Sequence, residues 1–93
     1  MRIPTHPGLV IKEELQARNM SANQLARELG VPANRVSEII RGRRRVTAET
    51  ALRLATHYGN SPEFWLRLQM NHDLGRAVAE YGKGIKRTVH KAA

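Results

Sequence analysis

Residues 21–43 read SANQLARELGVPANRVSEIIRGR and contain the signals of two short helices joined by a turn. Ser21, followed three residues later by Gln24, matches a capping box, which begins a helix. Gly30 stands where a helix that ends in a left-handed residue favours glycine. Between these signals lies an apolar stripe of Leu25, Ala26 and Leu29. The first half of the stretch therefore predicts a helix of about two turns.

A second short helix is predicted after the turn at Val31 and Pro32. Proline is tolerated where a helix begins, because its missing N–H would have no partner there. The residues of this helix divide between an apolar face of Val36, Ile39 and Ile40 and a polar face of Asn34, Arg35, Glu38 and Arg41. Two such helices are typical of a helix-turn-helix unit, whose second helix fits the major groove of DNA.

Three further helices complete the prediction. One spans roughly residues 7–19, another begins at a Thr47 cap, and the last begins at Ser61-Pro62-Glu63 and runs to about residue 80. No strand signal is present. The sequence therefore predicts an all-α, five-helix domain over residues 1–81, with its helix-turn-helix core at residues 21–43. Residues 82–93 form a short basic tail that we expect to be flexible.

The composition restricts the class of protein. A chain of 93 residues with 41% hydrophobic and 26% charged residues is long enough for one folded domain. The absence of cysteine excludes disulfides and cysteine zinc sites, and it favours a reducing compartment. Neither a signal peptide nor a membrane-length apolar run is present, so we expect a cytoplasmic protein, associated with the nucleoid through the predicted DNA binding.

The net charge of +8 points to a polyanionic partner, with nucleic acid the leading candidate. Asn34 can pair with adenine, Arg35 with guanine or a phosphate, and Glu38 with the amino group of cytosine. Four arginines follow this helix and suit phosphates, as do the backbone N–H groups at the start of the preceding helix. The predicted phosphate contacts are Ser21, Ala22, Ser37, Arg41, Arg43, Arg44 and Arg45. A solvated helix face or a solubilising basic cluster is the alternative interpretation of these residues.

Residues 21–43 resemble the helix-turn-helix of the Cro and lambda-repressor (XRE) family. The shared landmarks are Gln24-Leu25-Ala26, Gly30-Val31, Val36-Ser37, Ile39 and Gly42-Arg43. The resemblance implies a lambda-repressor-like fold in which Ala33, Asn34 and Glu38 face base edges and Arg41 meets phosphate. Ala33 and Pro32 depart from the residues usual in the family, which leaves the recognised DNA sequence open.

A wider resemblance, over roughly residues 5–75, is to the HigA (VapI-like) antitoxins of bacterial toxin–antitoxin modules. It is carried by His6-Pro7-Gly8 and by residues 61–69, SPEFWLRLQ. The resemblance implies a homodimer that binds a palindromic operator, represses its own operon and neutralises a small ribonuclease toxin of the HigB/RelE type. Phe64, Trp65 and Leu68 recur at helical spacing, and they can serve the core, a dimer interface or both.

Catalysis is not expected. The four histidines lack the spacing of helical metal ligands, and Glu13 and Glu14 point apart on a helix surface. No glycine-rich phosphate loop is present, so the sequence predicts no enzyme activity, metal or cofactor. Two other interpretations stay open: a stand-alone repressor without a toxin partner, and an interaction module whose basic face contacts an acidic protein.

Overall fold

The computed structural model describes residues 2–92, and these form five α-helices without a strand. The helices are α1 (Pro7–Ala17), α2 (Ala22–Leu29), α3 (Ala33–Ile40), α4 (Ala48–Tyr58) and α5 (Pro62–Thr88). The predicted all-α, five-helix class is confirmed. None of the helices in this described part is both long and apolar enough to cross a membrane.

The helix ends form much as the local sequence dictates. Ser21 Oγ accepts a hydrogen bond from the N–H of Gln24 at 3.1 Å, and Gln24 Oε1 accepts from the N–H of Ser21 at 2.8 Å, which completes the capping box. Gly30 ends α2 with a φ of 72°, in the left-handed region. Pro32 lies at the N-cap of α3, one residue before the helix, and makes no side-chain cap.

The core lies between the short helices and the first turns of α5. Leu25, Val36, Ile39 and Trp65 are at most 2% exposed. The closest backbone approach joins α1 to α3: a Cβ built on Gly8 would lie 2.0 Å from the carbonyl oxygen of Ile39. Only glycine fits at this crossing. The first turn of α1 thereby fixes the end of the third helix, on which DNA recognition is predicted to depend.

Helix α5 extends beyond the predicted end near residue 80, so that prediction of the helix boundary was wrong. Gly82 and Gly84 keep helical backbone, because a lone glycine weakens a helix by only about 1 kcal/mol and does not by itself end it. Lys86 and Arg87 in the last turn also interact favourably with the helix dipole. The flexibility of residues 82–93 stays a prediction, and Ala93 lies outside the described residues, as does Met1.

Candidate nucleic-acid interface

The polar face of α3 is presented outward because its apolar face is used in the core. Ala33 and Asn34 are exposed at the N-terminal end of α3, while Val36 is buried behind them. Ser37 is half-buried, and its hydroxyl donates to the carbonyl oxygen of Asn34 at 3.1 Å. Ala33 and Asn34, both predicted to contact bases, are thus accessible to DNA. Ser37, a predicted phosphate contact, already has one hydrogen-bond partner within the helix.

Arg35 points toward α4 and is engaged within the chain. Its Nη1 lies 3.0 Å from Glu49 Oε1, and its side chain is only 26% exposed. The other oxygen of Glu49 pairs with Arg53 at 3.4 Å, and Arg53 also donates to the carbonyl of Leu29 at 2.9 Å. Hydrogen bonds from Arg53 and then Arg35 hold the pKa of Glu49 below its ordinary value.

These contacts connect the end of α2, the middle of α3 and the start of α4. Glu49 and Arg53 therefore link α3 to the helices on either side of it in the chain, a connection that sequence reasoning missed. Glu49 also lies in the first turn of α4, where a negative charge suits the helix dipole. The spacing of Glu49 and Arg53, four residues apart on one helix, was the available signal.

Glu38, on the polar face of α3, and Arg44 form a second ion pair. Arg44 donates from Nε at 3.0 Å and from Nη2 at 2.8 Å, both times to Glu38 Oε1. The sequence predicts that Glu38 contacts a base and Arg44 a phosphate. In the chain without DNA, the two side chains are hydrogen-bonded to each other.

The arginine loop, residues 41–46, follows α3 and carries four of the predicted phosphate contacts. Gly42 adopts a φ of 74°, which turns the chain back toward the recognition helix. Arg41 and Arg43 are exposed, and neither forms an ion pair with any residue from 2 to 92. Arg45 pairs with Asp73 of α5 at 2.8 Å. Two of the four guanidinium groups are thus immediately available to an anion.

A buried glutamine anchors the arginine loop to α5. Gln69, only 2% exposed, accepts the N–H of Val46 at 2.7 Å and donates to Asp73 Oδ1 at 2.9 Å. Asp73 in turn accepts from Arg45. Gln69 is the last residue of the SPEFWLRLQ stretch, and its role here was not predicted from the sequence. Its place four residues after Trp65, on the same helix face, was the signal that could have found it.

The start of α2 offers a further anion site of the predicted kind. The first N–H groups of a helix have no intrahelical acceptor. The capping box uses the N–H groups of Ser21 and Gln24, while Ala22 lies between them in the first turn. The hydroxyl of Ser21 accepts in the cap but can still donate its own proton, so a phosphate here would meet that hydroxyl and the backbone N–H of Ala22.

Helix α5 carries a second exposed surface. The residues of α5 predicted to serve the core or a dimer interface, Phe64, Trp65 and Leu68, lie elsewhere on the helix. Of these three, Trp65 lies in the core, Leu68 packs against it, and Phe64 is 40% exposed. A longer stripe of apolar side chains follows a different face of α5. We call it the α5 stripe: Leu66, Met70, Leu74, Val78, Tyr81 and Ile85, all but the half-buried Leu66 more than 40% exposed.

The comparisons with known proteins agree with this architecture. A helix-turn-helix family model matches residues 11–65, more than half of the chain. A structure of a HigA-family addiction module antidote protein from Coxiella burnetii is 49% identical and superposes with a TM-score of 0.91, covering 99% of this chain and 100% of that one. Antitoxin HigA-1 of Vibrio cholerae is 40% identical over 86 residues, 91% of this chain and 81% of that protein. This chain belongs to the HigA family of helix-turn-helix antitoxins.

A third relative was solved with DNA. Antitoxin HigA of Pseudomonas aeruginosa, with the higBA promoter, is 35% identical, has a TM-score of 0.91 and covers 97% of this chain and 99% of its own. The predicted resemblance to the XRE-type and HigA proteins is therefore confirmed. The family and fold are those of DNA-binding regulators and not of enzymes.

Proposed function

We propose that this HigA-family chain binds palindromic operator DNA as a homodimer, represses its own operon and neutralises a ribonuclease toxin of the HigB/RelE type. The observation that carries the DNA-binding part is the accessible polar face of α3, followed by the arginine loop, on a helix-turn-helix whose apolar faces are packed in the core. The relative from Pseudomonas aeruginosa, studied with its promoter, supports the same role. Such a protein acts in the cytoplasm, on the nucleoid.

We assign the contacts to DNA in two groups. Asn34, Arg35 and Glu38 read base edges, and Ala33 lies in van der Waals contact with them. In the chain without DNA, Arg35 is paired with Glu49. The residues that contact DNA phosphates are Ser21, Ala22, Ser37, Arg41, Arg43, Arg44 and Arg45. Phosphate contacts supply affinity that falls steeply with salt, whereas a good base contact gives about 1–3 kcal/mol of discrimination.

We assign the homodimer interface to the α5 stripe. Contiguous exposed apolar surface on a small protein marks an interaction site, and a twofold dimer places one copy of the same patch against the other. A long helix with an apolar stripe can pair with its own copy along its length. In such a dimer the two recognition helices would lie about 34 Å apart, one helical turn of DNA.

The DNA-binding assignment is tested by titrating the chain into duplexes from the region upstream of its own gene. We expect a shifted complex whose affinity falls with salt, and a loss of preference at one base pair in Asn34→Ala. Equal binding to every duplex, unchanged in Asn34→Ala, would show that the basic surface serves another polyanion.

The toxin assignment is tested by purifying the tagged protein from cells in which its operon is intact. We expect a small basic protein to remain bound through washing, and its ribonuclease activity to appear when the two are separated. Recovery of the protein alone, still able to bind its upstream DNA, would leave a stand-alone repressor.

A further inference from the structure

Glu38 and Arg44 are brought together by a rigid turn. The N–H of Arg43 donates to the carbonyl of Glu38 at 2.9 Å, and the N–H of Gly42 donates to that of Ile39 at 3.0 Å. With Gly42 in the left-handed region, the chain doubles back and places Arg44 over the last turn of α3. The pair of side chains is therefore held by backbone geometry and does not depend on a chance surface encounter.

The geometry of the pair leaves one carboxylate oxygen available. Both hydrogen bonds from Arg44 end on Glu38 Oε1, and none of the hydrogen bonds formed within residues 2–92 ends on Oε2. The side chains are 44% exposed for Arg44 and 36% exposed for Glu38, so the pair faces solvent on the surface assigned to DNA. An exposed ion pair contributes little to the stability of a fold. What this ion pair changes is the orientation of the Glu38 carboxylate and the net charge that it presents to DNA.

A lone carboxylate in the major groove is repelled by the phosphates unless it finds a donor. We propose that Arg44 is a positioning residue for base recognition: it holds Glu38 so that Oε2 accepts from the amino group of a cytosine, and it offsets the negative charge. Its remaining nitrogen, Nη1, stays free for a phosphate. This inference rests on the proposed DNA binding, and it makes Arg44 a determinant of specificity as well as affinity.

Arg43 provides a matched control one residue away. It has the same side chain in the same loop, it is exposed, and no ion pair reaches it from residues 2–92. Removal of a pure phosphate contact weakens binding to all sequences alike and reduces the slope of affinity against salt by about one. Arg43 should therefore change affinity alone, while Arg44 should change sequence preference.

The experiment starts from the preferred duplex that the full chain selects from a randomised DNA library. Dissociation constants are then measured for that duplex and for each single base-pair change, with the wild type, Arg43→Ala, Arg44→Ala, Arg44→Lys and Glu38→Ala. We expect the wild type to prefer one C·G pair about tenfold, and Arg44→Ala and Glu38→Ala each to abolish most of that preference. Arg43→Ala should leave the ratio unchanged while weakening binding to every duplex.

Arg44→Lys separates orientation from charge. Lysine keeps the positive charge but lacks the planar fork that grips one oxygen from two nitrogens. We expect this variant to keep the wild-type salt dependence and to lose the cytosine preference. The double variant Glu38→Ala with Arg44→Ala should lose no more preference than either single variant, because both act on one contact.

Two results would overturn the inference. Arg44→Ala with unchanged base preference and a uniform loss of affinity would make Arg44 a phosphate contact only. A full cytosine preference in Arg44→Lys would show that the charge suffices without the fork. Failure of the wild type to select any sequence is a different outcome, because it would overturn the proposed DNA recognition itself. Circular dichroism of each variant confirms that the helices remain formed.

Discussion

The helix-turn-helix unit and the C-terminal half of α5 use apolar residues in opposite ways. In residues 21–46 the apolar side chains point inward, and Leu25, Ile39 and Val46 are at most 1% exposed. From Met70 to Ile85 they point outward: Leu74 is 61% exposed. The first region completes its own core, and the second presents an apolar surface that this chain leaves uncovered.

This difference separates the surface that one chain buries by itself from the surface that the proposed second copy would cover. Fixed backbone contacts hold the recognition helix, as at Gly8 and Ile39. The end of α5 extends from the body, so that the molecule measures 52 × 22 × 21 Å. Substitutions in the first region should therefore change the free energy of unfolding, and those on the α5 stripe should change assembly.

The largest effect on folding is expected from Gly8→Ala. The new methyl group would overlap the Ile39 carbonyl, and since the obstacle is backbone, α1 must move away from α3. We expect a loss of about 3 kcal/mol in the free energy of unfolding, measured by urea denaturation. Gly84→Ala is the control, because a Cβ there meets nothing within 4 Å and alanine favours helix by about 1 kcal/mol. Equal stability of the wild type and Gly8→Ala would contradict the close crossing.

The next largest effect is expected from Leu74→Glu on the α5 stripe. A charge in the middle of the proposed interface should convert the proposed dimer to a monomer and weaken operator binding at least tenfold, because the two half-sites are no longer linked. Sedimentation measures the mass, and circular dichroism should show the same helix content. Ala79→Glu, exposed on another face of α5, is the control and should remain dimeric. A dimeric Leu74→Glu would place the interface elsewhere.

The same contrast explains how much could be predicted from sequence. The helix-turn-helix was predictable because its signals are local: a capping box at Ser21, a left-handed Gly30 and an apolar stripe. The end of α5 was not, because glycines at 82 and 84 suggest a break that the neighbouring helix-forming residues override. Likewise Trp65 and Leu74 are both apolar residues of one helix, and only the fold shows which of them faces the core.

Pairings across the fold escaped the sequence for a physical reason. Gln69 and Val46 are 23 residues apart, and Arg35 and Glu49 are 14 apart. No helical or turn periodicity connects such positions, so their meeting depends on how α3, α4 and α5 pack. Exposed polar residues could therefore be assigned to DNA by their face on a helix, but their partners within the chain could not.

A smaller loss of stability is expected from Gln69→Leu, which tests how the arginine loop is tied to α5. Leucine fills a similar volume but leaves the buried N–H of Val46 without an acceptor. We expect a loss of about 1–3 kcal/mol in the free energy of unfolding, measured by urea denaturation. Gln16→Leu, on the exposed surface of α1, should change stability by no more than about 0.5 kcal/mol. If the two variants were equally stable, the hydrogen bond from Val46 to Gln69 would not be what holds the loop against α5.

The N-terminal segment connects the start of α1 to α5 through two histidines. His6 caps α1, its Nδ1 accepting the N–H of Gly8 at 2.9 Å, and its ring lies edge-on to His72 of α5 at 4.9 Å between centroids. Burial, followed by the charges of His72 and Arg76, lowers the pKa of His6 from its ordinary value of 6.5, against the opposing effect of Asp73. The cap requires an unprotonated Nδ1, so geometry and charge favour the same neutral form.

The smallest effect is therefore expected from pH. A lowered pKa means that the unfolded chain binds a proton more readily than the folded one, so the contribution of His6 is present above pH 6.5 and is lost as the pH falls through its folded pKa. Urea denaturation at pH 7.5 and pH 5.5 should show lower stability at the acid value, still above the range where Glu49, with its own lowered pKa, would titrate. His6→Asn keeps a capping acceptor without a titrating ring and should reduce this difference. If the stability difference between pH 7.5 and pH 5.5 were as large in His6→Asn as in the wild type, another titrating group would be its cause. The cap of α1 would then not be responsible for the pH dependence.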